Sequence, residues 1–142
     1  MSAQFTISEN RIERTVTSGN LPMPDWFGEV ETQLNAIAAL PAGWDTYSAP
    51  RPEGEILKSA LWLLACLCKV ERFAKPYVNP TPTGGVQFEW EKGARYFEIE
   101  LVAERAATYL LRDDAVGIEE SGEVFEGESL DAILAYLRRV AE

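Results

Sequence analysis

The chain predicts an α+β fold: a two-layer sandwich in which an antiparallel meander of three to four strands packs on two helices from the N-terminal half and one C-terminal helix. Three observations carry that expectation. Between Val86 and Leu101, apolar and acidic residues alternate in two runs, the period of strands buried on one face. Three other stretches, beginning at Trp26, Ile56 and Leu130, space their apolar groups at helical intervals. Proline and glycine clusters punctuate the boundaries between these runs.

The first twenty residues are polar, with Phe5, Ile7, Ile12 and Val16 as the sizeable apolar groups. Residues 1–20 read as a polar arm or a weak hairpin, and 21–142 as a single α+β domain. Pro22 and Pro24 mark the boundary. Asp25 is the expected cap of a helix whose apolar face is Trp26, Phe27, Val30, Leu34, Ile37 and Leu40, ended by Pro41. After a loop from Pro41 to Pro52, Pro52 suits the first turn of a second helix running through Ile56, Leu57, Ala60, Leu61, Leu64, Leu67, Val70 and Phe73. Trp62, Leu63, Cys66 and Cys68 fill its flanks, so it is apolar nearly all round and belongs at the centre of the core. Tyr77 and Val78 suggest a short strand, and the turn cluster Pro80 to Gly85 leads into the alternating hairpin. Ala107 to Arg112 is the next long strand. Beyond an acidic loop from Asp113 to Gly122, Glu123 to Glu126 is a candidate edge strand, and Ser129 caps a last helix through Leu130, Ile133, Leu134, Leu137 and Val140.

In the hairpin, Val86, Phe88 and Trp90 face one way, with Gln87, Glu89 and Glu91 between them; Phe97, Ile99 and Leu101 alternate with Tyr96, Glu98 and Glu100. A two-residue turn at Lys92-Gly93 pairs Trp90 with Arg95, Phe88 with Phe97 and Val86 with Ile99. A slip of one residue sets Val86 opposite Glu98 and buries a carboxylate, at roughly several kcal/mol. Sorted this way, Glu89, Glu91, Glu98 and Glu100 form an acidic outer face. Paired carboxylates at a fixed separation also serve glycoside hydrolysis, but a general acid needs burial that an open sheet face does not supply.

Composition narrows the function classes. The chain has 142 residues, 46% hydrophobic and 11% aromatic, enough for a real core. There is no run of eighteen apolar residues and no charged start followed by an apolar block, so neither a membrane span nor a secretory signal is expected, and the localisation expected is cytoplasmic. Histidine is absent, which removes Ser-His-Asp, Cys-His and His-metal chemistry. Cys66 and Cys68 sit two apart on a helix, point to different sides and read as core thiols. No catalytic residue, metal or cofactor is expected. Net charge is −10 and uneven: residues 1–75 carry nine acids and seven bases (−2), residues 76–142 fourteen acids and six bases (−8). That field repels nucleic-acid phosphate and anionic membrane and favours a basic protein partner.

Gly43-Trp44-Asp45, followed by Tyr47, Ala49 and Pro50, a leucine-rich helix, then Thr81-Pro82-Thr83-Gly84-Gly85-Val86-Gln87-Phe88-Glu89-Trp90 and the strand Phe97 to Leu101, resembles a group of small uncharacterised bacterial proteins. These carry a Gly-Trp-Asp loop before a helix and a Gly-Gly-x-x-x-x-Trp hairpin after it; the likeness covers residues 40–112. It departs at Thr46 and Ser48, where glycines are usual. The resemblance implies, by association with mobile-element and toxin-like genes, an accessory or antitoxin-like role. Physically, Trp44 and Tyr47 beside Asp45 suit a protein anchor if exposed, since flat amphipathic side chains dominate interfaces; folded back, Trp44 instead plugs the junction between helices and sheet. Gly84-Gly85 precedes a strand rather than a helix and lacks a lysine partner, which excludes a phosphate loop.

The expected function is a non-catalytic acidic protein-binding module, antitoxin-like or an accessory subunit. Its contact residues are drawn from Trp44, Asp45, Tyr47, Glu89, Glu98, Glu100, Asp113 and Asp114. Two alternatives use the same carboxylates: a nucleic-acid mimic that inhibits a nucleic-acid-binding protein, and a small enzyme pairing Asp45 with Glu89, Glu98 or Glu100 across a concave pocket. A homodimer through an unpaired sheet edge is compatible with each, although acidic residues oppose it.

Overall fold

The computed structural model describes residues 3–8, 11–16, 22–41, 43–44, 50–70, 72–103 and 106–124, together with Ile133, Ala135 and Leu137. The backbone forms an N-terminal hairpin, β1 (Ala3–Ser8) and β2 (Arg11–Val16), then helices α1 (Phe27–Ala38) and α2 (Gly54–Val70). Five strands follow: β3 (Tyr77–Pro80), β4 (Val86–Lys92), β5 (Arg95–Ala103), β6 (Ala106–Asp113) and β7 (Ile118–Glu123). These five make one antiparallel meander in chain order, so the fold is α+β with one strand more than the largest number expected. Both helices lie on one face of the sheet, and the β1–β2 hairpin runs beside them, closest to α2. The expected third helix falls largely outside the described residues, Ser129 included; its Ile133, Ala135 and Leu137 are helical, and Ile133 and Leu137 are fully buried.

The sequence explains the core directly. In α2, ten of the thirteen residues from Ile56 to Cys68 are buried, leaving Lys58 and Trp62 exposed and Cys66 between, which makes this the central helix of the fold. α1 buries Phe27, Val30, Leu34, Ile37 and Ala38. Its start differs from expectation: Asp25 does not cap it. Trp26 stands at the N-cap without a side-chain bond, and the first turn closes through Phe27 N–H to Pro24 O (3.0 Å), a tight turn that satisfies an amide the carboxylate was expected to serve. α2 ends at Val70, three residues before Phe73, whose ring nevertheless joins the core between Trp26 and Trp90, with centroids 5.8 Å from each.

The central hairpin keeps the expected sorting of faces but not the expected turn. Gly93-Ala94 forms the two-residue loop, so Trp90 pairs with Phe97, Phe88 with Ile99 and Val86 with Leu101. The register is two residues from the one expected, and a shift of two leaves every side chain on its face. Gly93, at φ 60°, occupies the first central position of the turn, where a positive φ is required and a glycine supplies it without strain. Trp90 therefore stacks near Phe97, with centroids 5.6 Å apart, instead of against Arg95, and its Nε1 donates to Ala74 O at 2.7 Å. The acidic segment expected as a loop is mostly strand. β7 pairs with β6 from Asp113↔Ile118 to Thr108↔Glu123, and the turn is Asp114 to Gly117; of the expected edge strand, Glu123 ends β7, Val124 follows in a turn, and residues 125–126 lie outside the described residues.

Candidate functional site

The side of the sheet away from the helices can be written out from the strand registers. One row runs Asn79, Gln87, Glu100, Thr108, Glu123; the next Tyr77, Glu89, Glu98, Leu110, Ser121; the third Glu91, Tyr96, Arg112, Glu119. Alternation along each strand forces this outcome once Val86, Phe88, Trp90, Phe97, Ile99 and Leu101 turn to the core. The face thus gathers six glutamates and one arginine.

Glu98 is the electrostatic centre. It stands directly across from Glu89, with Glu100 two residues along the same strand, and accepts a hydrogen bond from Gln87 Nε2. Burial, followed by repulsion from Glu89 and Glu100, raises its pKa; the Gln87 bond and Arg112 oppose the rise. Like charges directly opposite in a sheet are unfavourable, and Glu89 and Glu98 stand so, with Glu100 adding a third carboxylate beside them. Tyr96 shares the same field: burial, then Glu98 and Glu89, push its phenol up to about 12, against the opposing charge of Arg112. Arg112 lies over the Tyr96 ring, 5.1 Å from its centroid, and its Nε is 3.3 Å from Asp114 Oδ1. Among the described residues of this face Arg112 is the single base, and it is already engaged.

Among the residues expected to bind, Glu89, Glu98 and Glu100 come together on this face, each half-buried. Asp113 and Asp114 do not join them. Asp113 stands at the end of the sheet, 3.7 Å from Arg95 Nε, and its Oδ1 accepts the Ala115 N–H (3.1 Å), holding the β6–β7 turn. Asp114 is in that turn. Asp45 and Tyr47 lie outside the described residues. Tyr77, 67% exposed on the same row as Glu89, was missed by the sequence reading, as were Ser121 and Glu123; the signal available was the two-residue period carried across to neighbouring strands.

Trp44 is half-buried and its Nε1 donates to Pro50 O at 3.1 Å, which closes its own loop. Pro50 in turn packs on Gly84: a Cβ there would meet Pro50 Cγ at 3.3 Å. At Gly85 a Cβ would meet Leu101 O at 2.4 Å, and the Gly85 N–H bonds Thr81 Oγ1 at 2.9 Å. Through Pro50, which holds Trp44 on one side and meets Gly84 on the other, the loop before α2 touches the Gly-Gly turn. The contact joins that loop to the start of β4.

A shallow depression of about 380 Å³ opens on the outer face over β5, β6 and β7, bounded by Glu98, Glu100, Thr108, Leu110, Ser121 and Glu123. No described residue of the Gly43-Trp44 loop contributes to it. Cys66 and Cys68 are elsewhere, on α2; burial raises both thiols, Cys68 to about 12, and holds them in the unreactive form. No family model, no curated protein and no solved structure matches the chain.

Proposed function

We propose that the protein is a non-catalytic acidic binding module, an accessory or antitoxin-like subunit, whose outer sheet face engages a basic protein surface. The observation that supports this reading most is the set of six glutamates on one face with Arg112 tied to Tyr96 and Asp114. Holding Glu89 and Glu98 opposite one another costs folding stability. A lysine or arginine brought between them by a partner relieves that repulsion and gains charge-assisted hydrogen bonds. Tyr77 and Tyr96 add amphipathic rings to the same rows, the side-chain type enriched at the centres of protein interfaces.

Co-purification from the native cell at low and at high salt tests the reading. A basic protein retained at low salt and lost at high salt is the expected result, because exposed charge pairs are screened within roughly 10 Å at 0.1 M. The double variant Glu98→Lys, Glu100→Lys should lose that partner while keeping its thermal transition. A partner retained in full by the double variant, or no basic partner at any salt, overturns it.

A further inference from the structure

The two edges of the five-stranded sheet are built differently. β3 is four residues long and ends in Pro80, which has no N–H to offer a further strand. β7 runs six residues, Ile118–Glu123, in unbroken register with β6, with neither proline, lysine nor bulge, and every residue but the part-buried Gly122 is exposed. Proline, lysine and bulges are among the devices by which natural sheets block an edge, and β7 has none of these three; what it carries instead is negative charge, at Glu119, Glu120 and Glu123. Val124 N–H bonds inward to Ala107 O at 2.9 Å. Backbone groups alternate sides along an antiparallel strand, so the N–H and C=O of Glu119, Ser121 and Glu123 point outward, away from β6.

What sits beside those open groups selects the occupant. Glu119, Glu120 and Glu123 line the strand, and Val116 (65% exposed) and Ile118 (40% exposed) stand at its start. A second copy of β7 would bring its own three carboxylates alongside these, which opposes self-pairing. Ser121 is short, and beyond it lies the depression floored by Leu110 and walled by Glu98 and Glu100. Resting on the acidic-binder reading above, we infer that β7 is a docking edge for an extended, lysine- or arginine-rich segment of the partner, added as a sixth strand. Its basic residues lie opposite Glu119 and Glu123, an apolar residue lies opposite Ile118, and a long cationic side chain crosses Ser121 into the depression. Main-chain pairing supplies affinity and the carboxylates supply selection.

Ser121→Pro separates edge from charge: it removes one outward N–H and leaves every carboxylate and every bond to β6 in place. The probe is a synthetic strand-forming peptide with lysine at alternate positions, with binding followed by fluorescence anisotropy and by amide exchange. Wild type should bind at low salt with slowed exchange at Glu119, Ser121 and Glu123, and Ser121→Pro should bind about tenfold more weakly. Should Ser121→Pro fold poorly, the same peptide with alternate backbone nitrogens methylated, offered to wild type, should show the same loss. Equal binding by Ser121→Pro or by the methylated peptide, with Glu98→Lys, Glu100→Lys weakening it, overturns the edge and leaves the acidic face standing. No binding by wild type at low salt overturns both. A dimer of wild type that Ser121→Pro dissociates overturns the basic occupant in favour of a second copy.

Discussion

Glu98 carries its charge at a cost that pH can expose. Burial and the facing Glu89 raise its pKa in the folded state above the unfolded value, so between those two values the native protein binds more protons than the unfolded chain. Stability therefore falls as pH rises through that window and stays lower above it. Glu98→Gln should flatten this slope and make the protein more stable at neutral pH than wild type while leaving it little changed at pH 4; denaturation midpoints across that range check the sign. The group is half-exposed, so water screens the effect and keeps it small. Gly85 sets a different constraint. A Cβ at 2.4 Å from Leu101 O meets backbone rather than a movable side chain, so Gly85→Ala should destabilise by about 2–4 kcal/mol in denaturant titration. A cost under about 0.5 kcal/mol would mean that β4 and β5 separate there freely.

At the scale of elements, legibility in the sequence followed hydrophobic period. α2, with apolar groups on almost every side, and the β4–β5 pair, with strict alternation, were readable because burial dictates their residues. The turn between β4 and β5 was not, since Lys92-Gly93 and Gly93-Ala94 both sort the same residues to the same faces; only the positive φ of Gly93 and its place in the turn distinguish them. β7 escaped because Ile118-Glu119-Glu120-Ser121-Gly122-Glu123 is exposed at an edge and has no period to show, and β6 rather than its own composition sets its register. The start of α1 escaped because a proline carbonyl, and not Asp25, satisfies the first amide. Of the candidate site, Glu89, Glu98 and Glu100 were legible from alternation, whereas the separation of Asp113 and Asp114 from them required the position of the β6–β7 turn. The Pro50–Gly84 contact joins residues from either side of α2, 34 positions apart in sequence, and the Trp44 bond to Pro50 hangs on it, beyond any local pattern.

At the scale of the molecule, and among the described residues, the sheet separates an apolar face from an acidic one. One face holds α1 and α2 against the aromatic cluster of Trp26, Phe73, Phe88, Trp90 and Phe97. The other presents glutamates, two tyrosines and a shallow depression. Among the described residues no helix is long and apolar enough to cross a membrane. A net charge of −10 concentrated in the second half of the chain speeds encounter with cations and makes it sensitive to salt. Chemical-shift mapping of the labelled protein during titration with the lysine-rich peptide locates the contact without presupposing it. Shifts should concentrate on outer-face residues of β4 to β7, with Glu98 and Ser121 among the largest, and should vanish at high salt; shifts centred on α1, α2 or the Gly43-Trp44 loop would contradict an acidic sheet face as the binding surface.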